Sequence, residues 1–155
     1  MTDVFSKSKR SEVMGRIRGR GNRDTEMAFV KLLKAAHITG WRRHFALPLE
    51  PRTGMRAYPS GRRNRVKPDF VFSAPRLVVF IDGCFWHGCP RHATAPKANA
   101  AFWAAKLAGN RARDRYVNRA LRCRGWRVVR IWEHELGSGR NPVARLGIGG
   151  ENDEG

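Results

Sequence analysis

Acidic residues are scarce in this chain: thirteen Asp and Glu stand against thirty-one Lys and Arg in 155 residues, a formal charge of +18. A chain so short of negative charge is repelled by cationic surfaces, concentrates polyanions around itself and speeds encounter with them. Cysteine is scarcer still. Three thiols, an odd count, exclude a disulfide framework and fit a reducing compartment where thiols serve metals or cores. Long apolar runs are missing too: nothing approaches the roughly 18 apolar residues of a membrane span, and the opening Met1-Thr2-Asp3-Val4-Phe5-Ser6-Lys7 lacks the apolar core of a signal peptide. The expected location is therefore the cytoplasm, in association with the nucleoid. No amphipathic basic helix or lipidation motif accompanies the charge, so nucleic acid is favoured over an acidic membrane. Arginine heavily outnumbers lysine, which codon bias alone can produce, and the motifs must supply the rest of the argument.

There is no internal repeat, and the length suits one domain able to bury about 70% of its unfolded surface. Residues 1–23 are polar, with Arg16 and Arg18 among the charges and Met14 and Ile17 the main apolar positions; they read as a DNA-binding arm or as a short solvated helix. From Asp24 or Thr25, Phe29, Leu32, Leu33 and Ala36 recur at helical spacing, with Glu26 in the first turn where the helix dipole favours an acid. Trp41 to Leu47 predicts a strand, and the Pro-, Gly- and Arg-rich stretch from Pro48 to Lys67 a loop that either tracks DNA or is disordered. Asp69 to Phe72 and Leu77 to Ile81 predict two strands around a turn, the second apolar enough to be central. A helical region from about Ala98 to Arg124 is expected to break at Gly109 and Asn110 and to be closed by Gly125. Trp126 to Trp132 predicts a last strand. The core domain is thus expected over 24–136, with 137–155 a flexible tail, in an α/β architecture of a mixed sheet flanked by helices.

The chemistry concentrates in Ile81-Asp82-Gly83-Cys84-Phe85-Trp86-His87-Gly88-Cys89-Pro90-Arg91-His92. Cys84, Cys89 and His92 offer three ligands for a tetrahedral structural zinc. A fourth is expected from His134, just beyond the last strand, in preference to Cys123, whose helix must pack; the alternative is that the thiols are small buried residues. Asp69 at the start of one strand and Asp82 at the end of the next can lie side by side if the strands are antiparallel. With Glu26 they would suit Mg²⁺, which stabilises charge on a phosphodiester under attack, unless each acid simply pairs with an arginine. His87, held between the two thiols, has an imidazole suited to take a proton from water, or is itself a ligand. Phe85 and Trp86 flank it and suit wedging between bases, with core packing as the alternative.

In order along the chain, Arg10-Ser11 with Met14, Glu26, Pro68-Asp69-Phe70, Val79 to His87, Phe102-Trp103, Lys106, Asn110, Arg113-Asp114-Arg115, Gly125-Trp126-Arg127-Val128 and Ile131-Trp132-Glu133 resemble the very short patch repair (Vsr) DNA mismatch endonucleases. The Gly-Cys-Phe-Trp-His string is the specific signal, and the resemblance spans roughly residues 10 to 136. It implies a restriction-endonuclease-like fold and a Mg²⁺-dependent enzyme that nicks one strand next to a T:G mismatch. Mg²⁺ would be held by Asp69 and the backbone carbonyl of Ile81. His87 would activate water, with Glu26 and Asp114 in support. Phe85, Trp86 and Trp103 would intercalate beside the mismatch, and Lys106 and Asn110 would lie near the recognised bases. The resemblance also implies a structural zinc on Cys84, Cys89, His92 and His134. The chain departs from the family at Asp82, where a well-studied branch carries histidine, which offers the metal a second carboxylate; the 48–67 loop is also longer than usual. The expected partner is mismatched double-stranded DNA engaged by a monomer, with mismatch-repair proteins as further candidates and no membrane. Two alternatives remain: a restriction- or mobile-element-type endonuclease on the same fold, and a zinc-stabilised DNA-binding module without catalysis. Acids retained near phosphates in so basic a chain favour catalysis, because a mere binder would be repelled there.

Overall fold

The computed structural model describes residues 24–49, 65–84, 87–91, 97–137 and 139–148. The first helix, α1, runs over 24–35 and turns Phe29, Val30 and Leu33 into the core. It ends at His37, which adopts the left-handed conformation (φ 55°). The His37 N–H donates to the Lys34 carbonyl and the Ile38 N–H to the Leu33 carbonyl, satisfying the last carbonyls as in a Schellman cap.

Among the described residues, six strands follow: β1 Trp41–Arg43, β2 Leu47–Pro48, β3 Arg65–Val66, β4 Phe70–Phe72, β5 Leu77–Asp82 and, after the helix α2 Ala100–Cys123, β6 Arg127–Trp132. The main sheet has the order β1-β4-β5-β6, and β2 and β3 form a separate pair. β4 is antiparallel to both β1 and β5. β6 is parallel to β5, which requires a crossover, and α2 supplies it. The β4–β5 turn falls where the sequence places it. The strand expected over Trp41 to Leu47 is instead two short pieces, because His44 between them is also left-handed (φ 53°), a conformation that no strand residue adopts.

Side chains alternate across the sheet with period two. Phe70, Phe72, Leu77, Val79 and Ile131 pack on the α1 side with Phe29 and Leu33; Val71 and Val78 pack on the α2 side with Val117, Ala120 and Leu121. β5 is covered on both faces, as its continuous apolar run anticipates. The mixed α/β arrangement fits the expected restriction-endonuclease-like fold.

Two further sequence expectations are corrected. The long helix does not break at Gly109 and Asn110: α2 is a continuous 24-residue helix. One internal glycine costs only about 1 kcal/mol, less than the loss of a βαβ crossover packed through Leu107, Val117, Ala120 and Leu121. Nor is the chain beyond Gly137 simply a mobile tail. Pro142–Leu146 forms a 3-10 turn with Val143 and Leu146 buried, and both belong to the α1-side core.

Gly125 closes α2 as expected, at φ 82°, with the Gly125 N–H on the Arg122 carbonyl and the Trp126 N–H on the Leu121 carbonyl. A Cβ there would also lie 3.2 Å from the Arg76 guanidinium. Gly125→Ala should therefore destabilise the fold by about 1 kcal/mol or more, read as a lower denaturant midpoint with an unchanged slope; an unchanged midpoint would mean that this cap is not left-handed.

A carboxylate–imidazole cleft beside a thiol–imidazole cluster

β4 and β5 bring Asp69 to the C-terminal end of β5, where ligands collect in α/β sheets. The Asp69 carboxylate Oδ2 accepts the Ile81 N–H at 2.7 Å. A cleft of about 420 Å³ opens there, lined among others by Asp69, Ile81, Asp82, His87, Asn110, Asp114 and Arg130. Glu26, His44 and Asp69 form a second grouping, their ligand atoms within 4.8 Å of one another. Glu26 bonds to Arg43 and to the His44 Nε2 at 2.8 Å. Burial opposes its ionisation, but these bonds outweigh that and hold its carboxyl below the ordinary value.

Asp69 is different. Burial pushes its carboxyl up to about 7 against the pull of the Ile81 N–H, and the charge of Glu26 adds to the rise. A buried carboxylate held this far from its ordinary range has too little positive charge at hand, and a hard cation on an oxygen donor would supply it. The donor set thus fits Mg²⁺, with the Asp69 carboxylate as the charged ligand.

His87 leaves the β5 end in a turn closed by its N–H on the Gly83 carbonyl. Its Nδ1 is 2.6 Å from the Asp114 Oδ2 and 3.8 Å from the Asp82 Oδ1. Burial lowers its pKa, but the Asp114 hydrogen bond and the Asp82 charge outweigh this and hold it above the ordinary histidine value. With Nδ1 committed to a carboxylate, Nε2 is the nitrogen left to exchange a proton with a reactant. Asp82 and Asp69 do line one cleft, as the antiparallel pairing predicts. Both Asp82 oxygens, however, accept from the Arg130 Nη1, at 2.8 and 3.0 Å.

On the far side of the same loop, the His134 Nδ1 lies 3.2 Å from the Cys84 Sγ and 3.6 Å from the Cys89 Sγ. Both thiols are buried. The Cys84 N–H donates to the Glu133 Oε1 at 2.8 Å and the Cys89 N–H to the Cys84 carbonyl at 2.9 Å, which folds the loop against β6. Burial, aided by the neighbouring Cys89 and Glu133, pushes the Cys84 thiol up to about 11, so the protein alone does not favour the thiolate. Two buried sulfurs converging on one imidazole nitrogen are a soft donor set of the kind that holds zinc. His92 lies outside the described residues. Cys123, the rival fourth ligand, is exposed on α2. Purified protein should carry about one zinc per chain, which His134→Ala should lose and Cys123→Ala keep, as read by elemental analysis. The reverse pattern would transfer the fourth ligand to Cys123.

The remaining sequence-predicted residues divide. Asn110 lines the cleft. Trp103 stacks edge-on with Phe102 at 5.4 Å, and the Lys106 Nζ lies 6.0 Å from the Phe102 ring centre; neither Trp103 nor Lys106 lines the cleft, and Phe102 is 60% exposed. Phe85, Trp86, Arg16 and Arg18 lie outside the described residues. Sequence reasoning missed Arg43, His44 and Arg130. For His44 the sequence held no signal, because only the strand register, which pairs Arg43 with Phe70, sets His44 opposite Asp69. For Arg130 the signal was a charged residue inside an apolar strand run.

Among the described residues, no helix is long and apolar enough to cross a membrane. A family model described as DNA mismatch endonuclease Vsr matches residues 53–92. The chain is 38% identical over 138 residues to the Type II nicking enzyme V.XorIIP of Xanthomonas oryzae, covering 88% of each chain. It is 56% identical over 71 residues to the Type II nicking enzyme V.NaeI of Lentzea aerocolonigenes, a match spanning 46% of this chain and 43% of that relative. The DNA mismatch endonuclease Vsr of Escherichia coli is 39% identical over 71 residues, 45% of this chain and 46% of the relative.

Proposed function

Since the chain belongs to the DNA mismatch endonuclease Vsr family and is a DNA endonuclease, we propose that it nicks one strand beside a T:G mismatch in a Mg²⁺-dependent hydrolysis, as in very short patch repair. The carrying observation is the single cleft that joins Asp69, with its carboxyl pushed up to about 7, to a His87 whose Nδ1 is held by Asp114. Asp69 and the Ile81 carbonyl would hold Mg²⁺, which when bound offsets the negative charge growing on the phosphodiester in the transition state. His87 Nε2 takes a proton from the attacking water, and Asp114 stabilises the imidazolium that results. Glu26, kept ionised by Arg43 and His44, adds negative charge beside Asp69 and raises the site's attraction for a cation.

The basic surface supplies sequence-independent affinity, with Arg16 and Arg18 neutralising phosphates, while Lys106 would lie near the recognised bases. Phe85, Trp86 and Trp103 would wedge where bases are already poorly stacked, the cheapest place to unstack them, and Asn110 would face the bases from the cleft. Cys84, Cys89, His92 and His134 would hold a structural zinc that fixes the loop carrying His87. The protein would work as a cytoplasmic, nucleoid-associated monomer, with mismatch-repair proteins as further partners, and with 1–23 as a basic arm on an endonuclease domain that runs from 24 past Gly137 to include the core residues Val143 and Leu146.

The Type II nicking enzymes among the relatives favour a second reading for this chain, a site-specific nicking endonuclease acting on matched duplex. Duplexes labelled on either strand, matched or carrying one T:G pair, separate the two. Mismatch repair gives a single nick in one strand of the T:G duplex only. Equal nicking of both duplexes selects the second reading, and no cleavage of either with Mg²⁺ removes both.

A further inference from the structure

Asp82 is a buried carboxylate, 4% exposed, at the end of β5 and one residue from the carbonyl proposed to hold Mg²⁺. A free carboxylate there would compete for that cation and repel the phosphate beside it. Arg130 opposes both, because its Nη1 donates to both of the carboxylate's oxygens and offsets its charge. The rest of the same guanidinium is also engaged. Its Nε donates to the Asn118 Oδ1 of α2 at 2.9 Å, its Nη2 lies 3.4 Å from the Asp114 Oδ1, and its Cζ sits 4.5 Å from the centre of the Phe80 ring. Asp114 is therefore shared: one oxygen faces Arg130, and the other, Oδ2, holds the His87 Nδ1 at 2.6 Å. A planar fork is what can hold two carboxylates and a side-chain amide at once in fixed directions, and lysine has no such geometry.

We propose that Arg130 is the positioning residue of the general base: it fixes Asp114 so that its free oxygen orients His87, and it neutralises Asp82 so that this carboxylate stays out of the cation's ligand set. The strand pairing explains why one residue can do both. Arg130 is the register partner of Phe80 on the parallel strand, two positions before the Asp82–Trp132 pair, and so it reaches along the sheet face that α2 covers.

The proposal rests on the cleft being the cleavage site, and a wild type that fails to nick would remove that reading first. Given a nicking wild type, three comparisons decide the inference: single-turnover rate at saturating Mg²⁺, the Mg²⁺ concentration at half that rate, and affinity for T:G duplex in Ca²⁺ without Mg²⁺. Arg130→Met should lower the rate by about 10- to 100-fold while duplex affinity changes less than about threefold, because a residue acting through Asp114 adds no phosphate contact. The double variant Arg130→Met with Asp82→Asn should cleave about tenfold faster than Arg130→Met alone, since it removes the buried charge left uncompensated. A merely structural arginine predicts no such relief of the rate among folded proteins. Arg130→Lys, which keeps the charge without the fork, should still lose about tenfold in rate, and it carries the test if Arg130→Met does not fold. In Asp82→Asn the half-rate Mg²⁺ concentration should move by less than about twofold. The inference is overturned by an unchanged rate in Arg130→Lys, by a double variant no faster than Arg130→Met, by a loss confined to duplex affinity, or by a large rise in the Mg²⁺ requirement of Asp82→Asn, which would make Asp82 a ligand.

Discussion

Asp69→Ala should abolish detectable strand cleavage while leaving affinity for a T:G duplex within about tenfold of wild type. The carboxylate is the charged ligand proposed for Mg²⁺, and alanine removes it without removing a phosphate contact. Asp69→Asn sharpens the expectation, because the amide keeps an acceptor for the Ile81 N–H and loses only the charge. The carboxyl of Asp69 is raised from 3.8 to about 7 by burial and by Glu26. Its folded value lies above its unfolded one, so the stability it contributes is fully present below about pH 3.8 and is lost as pH rises through about 7. At pH 8, Asp69→Asn should therefore be inactive with saturating Mg²⁺ and yet, in EDTA, unfold at a temperature no lower than wild type. Wild-type cleavage by either variant would make Asp69 a structural acid. A large drop in unfolding temperature for the asparagine variant would contradict the electrostatic account of the site.

His87→Ala should slow cleavage by roughly 10² or more while zinc stays bound, as befits a positioned base outside the structural ligand set. A base must be neutral to accept a proton. The Asp114 bond and the Asp82 charge, outweighing burial, hold the His87 pKa above 6.5, so wild-type cleavage should fall as the solution is acidified through a value above 6.5, and His87→Ala should lose that acid limb. Loss of stoichiometric zinc from His87→Ala would instead make it a ligand, and a rate within a few-fold of wild type would place the proton acceptor elsewhere.

Period and local chemistry made much of this legible in the sequence. The continuous apolar run from Leu77 to Ile81, the helical spacing of Phe29 and Leu33 and the glycine after α2 each specify local geometry, and each element appears where expected. The convergence of Cys84 and Cys89 on His134 follows from one topological fact, that β6 runs parallel beside β5. What stayed hidden depends on tertiary placement. Gly109 has the local character of a breaker, but its cost is small beside the packing of a crossover helix. Val143 and Leu146 carry no periodic signal in five residues, yet they fill the core beside α1. His44 and Arg130 lie far in sequence from Asp69 and Asp82, and only strand register brings them together. A charge count shows that the acids have many possible arginine partners; it does not show that Arg130 takes both oxygens of Asp82.

The central claim is that cleavage takes place in the Asp69–His87 cleft and needs a hard divalent cation there. The single-turnover nicking rate of EDTA-treated wild-type protein, followed as Mg²⁺ is added back on a T:G duplex with zinc content measured in parallel, tests it most directly. The account predicts no nicking before addition, saturable recovery with Mg²⁺ and an unchanged zinc content throughout. Full nicking in EDTA, or recovery that tracks zinc instead of Mg²⁺, would contradict it.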